Sequence, residues 1–181
     1  MRIIAGKYGG RTVKMPKSKL VRPTTDKVKE SLFNYLNTYI PLNDIKVCDI
    51  YAGSGSLGLE ALSRGAAEVH FVEKNFNVLK NLKNNIEVLK AENQCSTFNM
   101  EAVKFSELSN HSQYDLILLD PPFFHDDVHQ AVKNLLAREY LAENGVMIIE
   151  RSVQTRKKDV ENFGIEPLKE IGDSLIYQFD N

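Results

Sequence analysis

The 181-residue chain sets 23 lysines and arginines against 24 acids, a formal charge of −1, with 43% hydrophobic and 26% charged residues. These are ordinary globular proportions, and no apolar run approaches the roughly 20 residues that a membrane span needs. Met1-Arg2-Ile3-Ile4-Ala5-Gly6-Lys7 lacks the apolar stretch and cleavage site of a secretory leader, so the expectation is a cytoplasmic chain folding as a single domain over residues 1–181.

Residues 2–5 and 11–15 read as two short strands around Gly6-Lys7-Tyr8-Gly9-Gly10, a glycine-rich hairpin turn. Residues 1–20 thus form a basic N-terminal hairpin, and 21–181 the body. The first 30 residues carry nine lysines and arginines against two acids, whereas the rest carries 14 against 22. A basic head on an acidic body suits a polyanion such as nucleic acid. Arg2, Lys7, Arg11, Lys14, Lys17, Lys19 and Arg22, interleaved with Tyr8 and glycines, are the candidate contacts. The alternative is a solvated hairpin whose lysines protect an edge strand.

Pro16 and Pro23 punctuate a link before a helix capped by Thr24 or Thr25, with a face of Val28, Leu32, Tyr35, Leu36 and Tyr39, ended by Pro41. Strands at 45–50, 68–72, 95–98, 116–119 and 146–150 then alternate with helices at 57–63, 76–89 and 127–138. Nearly continuous apolar strands alternating with helices imply a parallel sheet covered on both faces. Residues 165–171 and 174–179, joined by Gly172-Asp173, predict a terminal antiparallel hairpin. The expected fold class is therefore α/β and Rossmann-like, with a mostly parallel seven-stranded sheet. Cys48 and Cys95 fall inside strands as reduced, core-type thiols, and His70, His111, His125 and His129 show no metal-ligand spacing with cysteine.

Gly53, Gly55 and Gly58 satisfy G-x-G-x-x-G where the first parallel strand turns into its helix, which brings backbone close to a ligand at a helix N-terminus. Tyr51, Ala52 and Ser54 complete that loop. Glu73, followed by Lys74, ends the next strand 20 positions on and can accept from ribose hydroxyls. The glycines and Glu73 alone leave NAD and S-adenosylmethionine open. Asp49 separates them, because a carboxylate ending the preceding strand repels a pyrophosphate and attracts a cationic amino acid tail. After the third strand, Asn99-Met100-Glu101-Ala102 falls where an adenine would lie, and Glu101 could accept from its amino group, although Glu101 serves equally as a solvated helix-start acid.

Asp120-Pro121-Pro122-Phe123 closes the apolar run 114–119. Two prolines remove two N–H donors and prevent a helix or central ladder from consuming the carbonyls before them. The Asp120 carboxylate and those carbonyls make an acceptor cluster suited to an exocyclic amine, and Phe123 offers a face on which a base can stack. This chemistry is amino-group methyl transfer from S-adenosylmethionine.

The blocks Arg2–Lys7, Arg22–Glu30, Asp49–Ala66 and Asp120–Phe123 together resemble the RsmD family, bacterial class I methyltransferases that modify the exocyclic N2 of a guanine in 16S ribosomal RNA, conventionally position 966. The resemblance spans nearly the whole chain. It implies S-adenosylmethionine contacts from Asp49, Gly53, Gly55 and Glu73, target-base handling by Asp120, Pro121 and Phe123, and action on 16S rRNA in the small subunit or its assembly intermediate; a lone domain with a basic edge fits a monomer. It also suggests a role for Arg22, Thr24 and Thr25 near cofactor or RNA. Two departures stand out: Tyr51 where phenylalanine is usual, and Glu101 where Asp or Asn is commoner. The rival functions are an adenine-N6 DNA methyltransferase, a non-catalytic rRNA-binding assembly factor and an NAD oxidoreductase.

Overall fold

The computed structural model describes residues 1–15, 26–122 and 125–181. The expectations at Pro16, Lys17, Lys19, Arg22, Pro23, Thr24, Thr25 and Phe123 lie outside the described residues. In chain order the elements are α1 (Asp26–Tyr39), β1 (Lys46–Ile50), α2 (Ser56–Ser63), β2 (Glu68–Val72), α3 (Phe76–Leu89), β3 (Cys95–Phe98), α4 (Ala102–Ser106), β4 (Tyr114–Leu119), α5 (Asp127–Ala137), β5 (Leu141–Ser152), α6 (Arg156–Phe163), β6 (Lys169–Ile171) and β7 (Ser174–Asp180).

The strands form one seven-stranded sheet in the order β3-β2-β1-β4-β5-β7-β6. β1 through β5 are mutually parallel, and β7 runs antiparallel to both β5 and β6. The chain moves outward from β1 to β3, then crosses back to place β4 on the other side of β1. That reversal creates the crevice in which open α/β sheets bind ligands. Apolar side chains cover both faces. One cluster contains Val47, Val69, Phe71, Leu116 and Leu118, and the other contains Ile50, Val72, Ile117, Leu119 and Ile149. Each such side chain, fully buried, contributes about 1.5 to 3 kcal/mol.

The two arms of the N-terminal segment pair antiparallel, with Ile3 N donating to the Arg11 carbonyl and Val13 N to the Met1 carbonyl, each at 2.9 Å, but the pairing amounts to one bridge, Arg2 with Thr12, and the two predicted strands do not form. Ile3, Tyr8 and Val13 are instead buried in the main core. The segment is held by the fully buried carboxylate of Glu60 on α2, which accepts from the backbone N–H groups of Ile4 (2.7 Å) and Ala5 (3.1 Å) and pairs with Arg64 and with buried Lys29 of α1. Lys29 also donates to the Arg2 carbonyl at 2.6 Å. Burial lowers the Lys29 pKa, and Glu60 opposes that shift. Of the expected face of α1, Val28, Leu32 and Leu36 are buried, but Lys29 and Phe33 join them while Tyr39 is 48% exposed.

Gly6 lies where the arm crosses the end of α2, with φ of +80° and Lys7 N donating to the Ser63 carbonyl at 2.7 Å. A Cβ on Gly6 would sit 1.8 Å from that carbonyl oxygen. Gly6→Ala is expected to cost about 1 to 3 kcal/mol by backbone strain and clash, lowering the melting temperature by several degrees. An unchanged melting curve would show that the arm does not dock on α2.

Two helices were not anticipated, α4 and α6, and the antiparallel end differs in extent. β5 begins five residues earlier than expected, interrupted near Asn144 (φ 61°) and Gly145, where its register against β4 shifts. β6 is only three residues long, because α6 runs to Phe163 and Gly164 closes it in the left-handed conformation.

Candidate functional site

Register places the site residues in one line. Phe98, Val72, Ile50, Leu119 and Ile149 are successive partners across β3, β2, β1, β4 and β5. The next residues along those strands are Asn99, Glu73, Tyr51, Asp120 and Glu150. Residues separated by up to 99 positions in sequence are therefore neighbours at the carboxyl edge of the sheet.

The loop between β1 and α2 turns through three left-handed residues, Tyr51 (φ 65°), Gly53 (φ 56°) and Gly55 (φ 82°). Gly55 is the cap residue of α2, and its N–H donates to the Ala52 carbonyl at 2.7 Å. Gly58 serves packing, since a Cβ there would lie 2.3 Å from the Phe71 ring of β2. Asp49 is buried behind the loop and accepts from Gly58 N at 2.8 Å, capping α2 from the preceding strand. Burial raises its pKa well above the usual carboxylate range; the Gly58 bond opposes this and the Asp120 and Glu73 carboxylates add to it. No cation pairs with Asp49 among the described residues.

Glu73 is half-buried and braces both sides of the loop, accepting from Gly53 N (3.1 Å) and Asn75 N (2.7 Å). Lys74 is exposed. Asn99, placed by the sequence beside the adenine position, also crosslinks the neighbouring loops by donating to the carbonyls of Glu73 (2.9 Å) and Lys74 (3.0 Å). Glu101 occupies the cap position of α4 without a capping bond and forms an exposed pair with Lys104 at 3.6 Å, while Ala102 is buried.

On the other side of β1, Asp120 is half-buried, Pro121 is buried and Pro122 is exposed. The Pro122 carbonyl accepts from His125 N at 3.0 Å. Behind it lies fully buried Arg151, whose Nη1 reaches the His125 carbonyl at 3.5 Å. Asp159 of α6 accepts Arg151 Nε in a bidentate pair at 3.1 Å and bonds to His129 (2.7 Å) and Thr155 (2.6 Å). Tyr51 inserts its ring near this cluster, and burial, then Asp127, raises its hydroxyl pKa. The usual phenylalanine would occupy the same place without burying a hydroxyl.

Burial pushes the Cys48 thiol up and Cys95 to about 12, so neither is a thiolate nucleophile at neutral pH. Of the basic residues, Lys7, Arg11 and Lys14 are exposed, while Arg2 pairs with Asp26 at 3.4 Å. Tyr8 is buried, with Lys7 Nζ at 5.1 Å and Arg11 Cζ at 5.5 Å from its ring. It holds two cations in place.

A mostly parallel seven-stranded sheet with an antiparallel β7, a glycine loop at the switch point and an acidic residue ending β2 define a class I, S-adenosylmethionine-dependent methyltransferase fold. The family described as Conserved hypothetical protein 95 matches residues 1–179. Ribosomal RNA small subunit methyltransferase D of Haemophilus influenzae is 40% identical over 83% of this chain and 78% of its own length, and its Escherichia coli counterpart is 36% identical over 85% and 76%. The structure titled putative methyltransferase yhhF from Escherichia coli superposes with a TM-score of 0.82 at 30% identity, covering 99% of this chain and 97% of that one. The chain belongs to the ribosomal RNA small subunit methyltransferase D family.

Proposed function

We propose that this protein transfers a methyl group from S-adenosylmethionine to the exocyclic N2 amine of a guanine in 16S rRNA, at position 966 by family resemblance. The observation that carries this reading is the register that sets Glu73, Tyr51 and Asp120 side by side, with Asp49 behind them. The rRNA methyltransferase names of the relatives agree with it.

The residues fit a cationic cofactor, since a buried carboxyl group without a positive partner among the described residues is poised to receive one. S-adenosylmethionine supplies a methyl on a cationic sulfur, already activated toward a nucleophile. Asp49 would attract its ammonium end, the Gly53–Gly55 backbone would contact it, and Glu73 would accept from the ribose. Glu101 and Ala102 would hold the adenine. The Asp120 carboxylate and the Pro121 carbonyl accept the two N–H groups of the target amine, and Phe123 stacks on the extruded base. Holding the amine in line makes transfer effectively unimolecular, a gain that reaches about 7 kcal/mol or more when geometry is good. Asp120 and the Pro121 carbonyl would aim the amine nitrogen at the methyl that the bound cofactor supplies, and Asp120 or water would take the proton that the methylated nitrogen sheds. No strong base is required.

The deciding experiment incubates the protein with methyl-labelled S-adenosylmethionine and, in parallel, small subunits lacking the modification, naked 16S rRNA and duplex DNA. Nucleosides are then separated by mass spectrometry. N2-methylguanosine from subunits or rRNA is the expected product; N6-methyladenine in DNA, or no methylated nucleoside, would refute the assignment.

The basic arm grips the RNA backbone through Lys7, Arg11 and Lys14, with Arg22 beyond the described residues. Deleting the arm would strip the core of Ile3, Tyr8 and Val13, so charge removal is the cleaner test. Lys7→Ala combined with Arg11→Ala is expected to weaken rRNA binding and reduce the slope of log affinity against log salt by about 1 to 2. A slope equal to that of the unaltered protein would remove the arm from the interface. The protein acts in the cytoplasm, as a monomer formed by a single domain.

A further inference from the structure

α3 buries Val78, Leu79, Leu82, Ile86 and Leu89, and within that apolar stripe lies one polar residue, Asn85, only 5% exposed. Burying a carboxamide costs free energy unless its donors and acceptor are used. Here they are. Oδ1 accepts from Lys14 N at 3.0 Å, and Nδ2 donates both to the Lys14 carbonyl and to the Ser54 carbonyl, each at 3.0 Å. Asn85 therefore holds both backbone groups of one residue in the basic arm while its remaining hydrogen holds the glycine loop between β1 and α2. Asn81, one turn earlier, adds a second bond to the Lys14 carbonyl at 2.7 Å and does not reach the loop.

Ser54 sits between Gly53 and Gly55, both at positive φ, and its backbone position sets the curvature of the loop against which a cofactor would rest. The Lys14 side chain is exposed, on the face proposed to meet RNA. A phosphate held by Lys14 restrains a backbone that is bonded to the same carboxamide as Ser54. A bridging side chain with two stations serves neither independently.

We propose that Asn85 is a positioning residue that couples the RNA-binding arm to the cofactor loop, so that rRNA and cofactor strengthen each other's binding. The inference rests on the functional reading above. Each ligand orders an element that the other also needs ordered, so the second to bind loses less conformational freedom. By linkage the factor is the same in either order of addition.

The test measures the affinity of the full chain for S-adenosylhomocysteine without and with saturating 16S rRNA fragment. In the unaltered protein the fragment is expected to tighten binding by about fivefold or more, the lower range of measured couplings. Asn85→Ala is expected to reduce that factor below about twofold, whereas Asn81→Ala, which leaves the Ser54 bond intact, retains most of it. A structural role alone would lower stability in both variants without moving the ratio. Should Asn85→Ala fail to fold, amide exchange in the unaltered protein decides: rRNA fragment alone, without cofactor, slows exchange at Gly53–Gly55. An undiminished factor in Asn85→Ala, no tightening in the unaltered protein, or loop exchange indifferent to RNA would each overturn the coupling. Failure of the functional reading itself looks different: the unaltered protein would not bind the fragment, or would bind it and never methylate it.

Discussion

Asp120→Ala is expected to reduce methyl transfer by about a hundredfold or more while changing cofactor affinity little. The carboxylate is one of two acceptors assigned to the target amine, and without it the nitrogen is neither aimed nor polarised. Pro121 and Pro122 restrict the backbone, and the Pro122 carbonyl is held by His125 N, with Arg151 behind it, so the fold should survive. Single-turnover rates with saturating S-adenosylmethionine and subunits lacking the modification, alongside calorimetric cofactor binding, separate the two effects. A variant that turns over normally would remove Asp120 from the chemistry.

The second large effect is at Asp49. An asparagine there keeps an oxygen for Gly58 N and removes a buried carboxyl that bears a desolvation cost whenever it ionises, with no cation beside it among the described residues. Asp49→Asn is therefore expected to leave the melting temperature unchanged or raised at neutral pH, and to weaken S-adenosylmethionine binding by about 10- to 100-fold, the worth of a charge-assisted contact. The pH dependence has a definite sign. Because the folded-state pKa of Asp49 is raised, its contribution to stability is full below the unfolded carboxylate pKa and is lost as pH rises through the folded value. Cofactor affinity should rise across that same upper window, as Asp49 ionises and can pair with the incoming ammonium. Binding in that window releases a proton, detectable as a buffer-dependent calorimetric heat. The absence of both proton release and affinity loss in the asparagine variant would mean that Asp49 only caps α2.

The sheet was legible because its strands carry near-continuous apolar runs bounded by turn residues. β2, α3 and β3 begin and end where the sequence pattern predicts, α3 helped by the Asn75 side chain accepting from Asn77 N and Val78 N. α4 was hidden by its five-residue length. α6 was hidden by its composition: only Val160 and Phe163 pack against the core, and its one fully buried residue is Asp159, an acid made tolerable by Arg151, His129 and Thr155. The same limit applies to the candidate site. Asp49, Glu73 and Asp120 could be singled out from strand ends and glycine spacing alone. Asn85 and Asn99 act through backbone groups of distant loops and Arg151 through the Asp159 carboxylate, and nothing local in the sequence announces such partners. The one available sign was an asparagine inside the apolar stripe of α3. The arm misled in the opposite direction, because its lysines and glycines suggest an exposed hairpin, whereas Ile3, Tyr8 and Val13 are packed inside.

The anchoring of that arm has a consequence for the order of events during synthesis. Ile4 and Ala5 bond to a carboxylate 56 and 55 residues further along, and Lys14 to a carboxamide 71 residues away. Translation delivers the N-terminal residues first, at about 5 to 20 residues per second, so the arm waits several seconds for its docking surface. During that interval it is an unpaired polycationic peptide with apolar residues exposed, emerging from a machine built largely of RNA. Closure of this long-range contact should therefore be among the late steps of folding.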